Sequence, residues 1–156
     1  METNLTKYQK DIDTLIERGA KLYDGLIYEL RDDLGDTYKQ IPKSRRAEME
    51  KCEFKREYNS WYNESIALIK QLIPERLDDF QSYYKREKRK EITYETYTIS
   101  DYLIGYQTSR LGEVIVSRTY AIYKYEQQYY IVRSLKDRFA SSLYEIKQLL
   151  QADVFD

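Results

Sequence analysis

The stretch from Phe54 to Tyr84 constrains the fold most. Phe54, Tyr58, Trp61, Ser65, Leu68 and Leu72 recur at alternating spacings of four and three, and Tyr62, Ile66, Ile69 and Ile73 widen that row. This is helical periodicity, and the apolar face is too broad for a helix that packs on one side only. A helix of this kind sits in the middle of a bundle, with Trp61 shielded from water. The expectation is therefore an all-α fold, a helical bundle of four or five helices with a long C-terminal helix.

Composition supports one domain spanning residues 1–156. A chain of 156 residues buries enough surface to fold without staples, and 5 glycines and 2 prolines give little punctuation for a many-stranded sheet. A net charge of -1 supplies no global field toward nucleic acid or a membrane surface. No apolar run approaches the ~20 residues of a membrane span. The polar start METNLTKYQKDID does not read as a secretory signal. Cys52, the single cysteine, cannot form an intrachain disulfide, and a cytoplasmic location fits.

The absence of histidine excludes more chemistry than any other feature. It removes Ser-His-Asp and Cys-His mechanisms, histidine metal sites and any histidine base. Glu75, Asp78 and Asp79 stand at helical spacing, but carboxylate metal sites in bundles usually include a Glu-x-x-His pair. An acidic first turn after Pro74 accounts for these residues through the helix dipole, and Asp32, Asp33 and Asp36 read the same way. Cys52 lacks a partner base. No catalytic residue, metal ligand or cofactor is expected.

The spacing predicts a first helix over 5–37, with a capping box from Thr6 and Gln9 and an end near Gly35. Gly19 lies on its apolar seam, where a missing side chain permits close helix approach; Gly25 weakens the helix. A second helix is predicted from 43 to 73, kinked or ended by Pro74, with its apolar row continuing through Leu77, Phe80 and Tyr84. Residues 85–98 read as an exposed connector, with an extended segment at 92–98. Thr98 and Asp101 offer a capping box for a short helix reaching Gln107. A final helical region covers 111–152, either broken near Gly112–Ser117 or projecting, with Ile122, Tyr125, Tyr129, Val132, Leu135, Phe139, Leu143, Ile146 and Leu150 on its seam.

Two surfaces are candidates for binding. Phe139, Leu143, Ile146 and Leu150 overhang helices of about 30 residues and face water unless something covers them, and the simplest cover is a second copy. Lys85, Arg86, Lys88, Arg89 and Lys90, beside Tyr83, Tyr84 and Tyr94, form a basic and aromatic run of the kind that binds single-stranded nucleic acid. The first surface suggests a non-enzymatic interaction or oligomerisation module of a bacterial cytoplasmic protein, acting as a homo-oligomer or with a protein partner. The second suggests a nucleic-acid (RNA or ssDNA) binding module. The 18 tyrosines fit half-buried core positions with hydroxyls at the rim, or a stacking surface.

Trp61 to Tyr84, Tyr97 to Leu103 and Arg138 to Asp156 together resemble the N-terminal part of a group of uncharacterised bacterial proteins whose following portion is HEPN-like (higher eukaryote and prokaryote nucleotide-binding). The resemblance implies a place in a defence or toxin system, accessory to a HEPN-like ribonuclease. HEPN ribonucleases carry Arg, about four residues, then His. Here Arg118-Thr-Tyr-Ala-Ile-Tyr123 has Tyr123 where the histidine stands, so the resemblance places any nuclease motif beyond Asp156.

Overall fold

The structure is a computed structural model that describes residues 3–155, with side chains through Ala152. Four helices build the core: α1 (Asn4–Glu29), α5 (Phe54–Leu72), α6 (Leu77–Tyr84) and α8 (Tyr120–Phe155). Short helices α2 (Arg31–Leu34), α3 (Asp36–Lys39), α4 (Lys43–Met49) and α7 (Ile99–Leu103) fill the connections. An antiparallel hairpin, β1 (Thr108–Arg110) with β2 (Glu113–Val116), precedes α8. Among the described residues no helix is long and apolar enough to cross a membrane.

The chain is all-α as expected, and the Phe54 row lies at its centre. Phe54, Tyr58, Trp61 and Ile69 are wholly buried. The Trp61 indole donates to the Leu15 carbonyl at 3.0 Å, so its one polar atom is satisfied inside the core. Gly19 does what its place on the seam suggests. A Cβ there would lie 2.9 Å from the Tyr129 ring and 3.1 Å from the Trp61 indole nitrogen. The bare backbone lets Tyr125 donate to the Gly19 carbonyl at 2.5 Å, joining α8 to α1.

Several boundaries differ from the sequence expectation. The first helix is capped by Thr3, whose hydroxyl accepts from the Thr6 amide, so Thr6 and Gln9 are not its capping box. It ends at Glu29, and α2 and α3 follow on either side of Gly35, where φ is 56°. The second helix is two, α4 and α5, separated by residues 50–53. Gly25 explains where that break packs: a Cβ on it would come within 2.5 Å of the Cys52 carbonyl oxygen. This is a close approach that only glycine allows.

Pro74 ends α5 and opens a 3-10 turn, after which α6 carries Phe80 back into the core. No strand forms over 92–98: a turn at residues 94–96 interrupts it, held by Thr96 accepting from the Thr93 amide and donating to the Glu91 carbonyl. The Thr98–Asp101 capping box is present on α7, which stops at Leu103.

The hairpin replaces what the seam reading assigned to helix. Leu111 and Gly112 both have positive φ, 54° and 83°, as a two-residue type I′ loop requires. Val116 anchors the hairpin in the core, and Ile115 is the extra residue of a bulge.

Candidate functional site

The two sequence-predicted surfaces fare differently. In α8 the seam divides at Phe139. Leu135 and Phe139 are buried, and Phe139 stacks on Tyr8 with ring centroids 5.5 Å apart. Phe139 is therefore core, not overhang, and Leu143 packs partly against the core. Beyond them Tyr144, Ile146, Leu149 and Leu150 are 64%, 51%, 68% and 61% exposed, so Ile146 and Leu150 alone of the four predicted interface residues face water.

The register of the bundle explains the division. α8 runs antiparallel to α1: Tyr23 donates to Glu126, Lys136 pairs with Asp13, and Phe139 meets Tyr8. Continued at that register, α1 runs out at Asn4, opposite about Leu143. α5 lies on the other flank, where Tyr58 donates to the Gln128 side chain at 2.7 Å. It ends at Leu72, level with about Ser142. Both neighbours stop together, and α8 continues for about 18 Å alone.

The basic run is not a uniform exposed patch. Arg89 is withdrawn from it, because its guanidinium makes a two-pronged pair with Asp101 at 2.6 Å and donates to the Thr96 carbonyl. Burial pushes the Asp101 carboxyl up, but the bonds from Arg89 and Thr98 outweigh it and hold it below the usual range. Tyr84 is also withdrawn: it packs on Tyr62 with centroids 4.4 Å apart. Tyr83 is half-buried, and burial raises its hydroxyl's pKa. Lys85, Arg86, Lys88 and Lys90 remain exposed.

The fold brings residues of α8 to this run and to Tyr94 that the sequence pattern does not connect with them. Lys124, on the first turns of α8, is 4% exposed and donates to the Glu95 carbonyl at 2.9 Å. Its ammonium lies 5.5 Å from the Tyr94 ring and 5.7 Å from the Tyr123 ring. Burial, then the neighbouring Arg86, lowers its pKa, with Glu95 opposing. Tyr94 also meets Tyr120 edge-on at 4.8 Å and Tyr123 at 5.8 Å. No periodicity links these positions; only the return of the 85–98 connector onto α8 joins them.

The remaining candidates each have a local partner. Arg118 is held by Asp33, donating at 2.9 Å from one guanidinium nitrogen, so it fastens the segment before α8 to α2. Asp79 lies 3.6 Å from Arg76. Burial, then a hydrogen bond to Glu57, pushes the Cys52 thiol up to about 12, far from a reactive thiolate. Compared with protein-family models, curated proteins and solved structures, the chain gives no significant match.

Proposed function

We propose that the chain is an interaction module whose distal α8 associates with a second copy. One observation carries this reading: the apolar row continues past the point where both flanking helices end. Ile146, Leu149 and Leu150 stand at helical spacing on that overhang, and an exposed stripe of this kind is more often an interface than an accident. Between Ala140 and Ala152 the only charged residues are Glu145 and Lys147, one of each sign, so two copies meet without net repulsion. A two-fold antiparallel pairing lays each stripe on its mate. A standard interface buries roughly 800 Å² per partner; a few side chains on one overhang supply less, which favours a micromolar dimer. The same stripe suits a scaffold role in a bacterial defence or toxin system, the setting that the HEPN-like resemblance implies.

Analytical ultracentrifugation of the double variant Ile146→Glu, Leu149→Glu tests the reading. The variant should sediment as monomer at concentrations where the parent dimerises, with unchanged helicity by circular dichroism. Equal dimerisation of parent and variant would move the interface elsewhere.

A further inference from the structure

The surface at the start of α8, remote from the overhang, has the parts of a second site. Tyr94 and Tyr123 are 46% and 43% exposed and adjacent, and both rings rest on the buried ammonium of Lys124. That ammonium bonds a backbone carbonyl, and among the described residues no carboxylate lies within ion-pair distance of it or of Arg86. Arg86 stands two residues beyond the end of α6, the helix that packs against α8, and is exposed. Exposed Lys85 and Lys88 share with Arg86 an open hollow of about 430 Å³ at the end of α6, which Asp78 and Glu87 also line.

Each part has a simpler role, and the combination exceeds them. Lys124 alone latches the connector to α8, and its hydrogen bond suffices for that. Burying an ammonium without a carboxylate is costly, and an anion with a flat face would both neutralise it and cover the two exposed rings.

We infer that Tyr94 and Tyr123, with Arg86, bind an unpaired nucleobase together with its adjoining phosphate. The base stacks on the tyrosine faces, and the phosphate meets Arg86, with Lys85 and Lys88 extending the contact along a strand. Both a free nucleotide and a single strand offer this chemistry. Duplex does not, because its bases are already stacked. Sequence preference is weak, since every base has a π face.

Fluorescence anisotropy with labelled oligouridylate, a labelled nucleoside monophosphate and a labelled duplex tests the site at low salt. The oligonucleotide, the monophosphate or both should bind. Tighter binding of the oligonucleotide identifies a strand as the natural ligand, and equal binding a nucleotide. The double variant Tyr94→Ala, Tyr123→Ala should weaken the binding at least about tenfold, while Tyr94→Phe, Tyr123→Phe should retain it. Arg86→Ser should flatten the salt dependence. All three sites are exposed, and near-ultraviolet circular dichroism of the Trp61 core confirms folding of each variant. Absence of binding to both ligands at low salt would overturn the inference. Duplex binding as tight as single-strand binding, or full affinity in the alanine pair, would also overturn it.

Discussion

The two halves of α8 carry the same periodic seam and meet opposite fates. From Ala121 to Phe139 the seam is enclosed by α1, α5 and α6, and even its polar members are used: buried Gln128 accepts from Tyr58 and donates to the Phe80 carbonyl at 2.8 Å. From Leu143 onward the spacing persists, but the neighbours have ended. Periodicity specifies which face of a helix is apolar. The length and register of the flanking helices decide whether that face is filled within the chain.

The sharpest contrast is in stability. Trp61, packed against Tyr125 with ring centroids 5.2 Å apart, should cost about 3–5 kcal/mol on truncation to alanine. Leu135→Ala should cost about 2–5 kcal/mol. Urea unfolding monitored by circular dichroism measures both. A loss below about 1 kcal/mol for Trp61→Ala would displace the Phe54 row from its central place.

The polar link gives the next largest effect. Gln128→Leu leaves the Tyr58 hydroxyl buried without its partner and removes the side-chain bond to the Phe80 carbonyl, at a cost of about 1–3 kcal/mol. The additional removal of the hydroxyl, in Tyr58→Phe with Gln128→Leu, should recover part of that loss in the same unfolding assay.

Much of the enclosed half was legible in the sequence, because Trp61, Tyr125 and Gly19 all lie on seams that helical spacing reveals. The Thr98–Asp101 box was legible for a similar reason, being local. Contacts between segments without shared periodicity were not. Arg89 reads as one more charge in a basic run until Asp101, on α7, is seen to hold it. The hairpin was hidden because Val114, Ile115 and Val116 form a short apolar run compatible with either helix or strand. Leu111–Gly112 was its one local signal. Tyr94 stands beside the basic run in sequence, but its pairing with Tyr123 has no sequence signal.

Alkaline pH sharpens the contrast further. Burial raises the hydroxyl pKa values of Tyr58 and Tyr125 well above 10. Their folded values exceed the unfolded ones, so the stability they contribute is complete below about pH 10 and is lost as pH rises beyond it. Tyrosinate absorbance should show these groups ionising together with loss of helicity. Val132→Ala, which loosens the enclosed half, should move that transition to lower pH, whereas Leu149→Glu should leave it in place.

The smallest expected effect concerns the overhang itself. Leu149→Ala and Leu150→Ala should each change monomer stability by less than about 0.5 kcal/mol in dilute urea titrations, as surface substitutions do. A loss of 2 kcal/mol or more in the monomer, at about the scale of core truncations, would mean that the distal helix folds back on its own bundle.

Light scattering of the unmodified protein across a concentration series measures the association of the α8 overhang without any substitution. The mass should rise from one chain toward two through the micromolar range. A mass that stays at one chain at high micromolar concentration would contradict it.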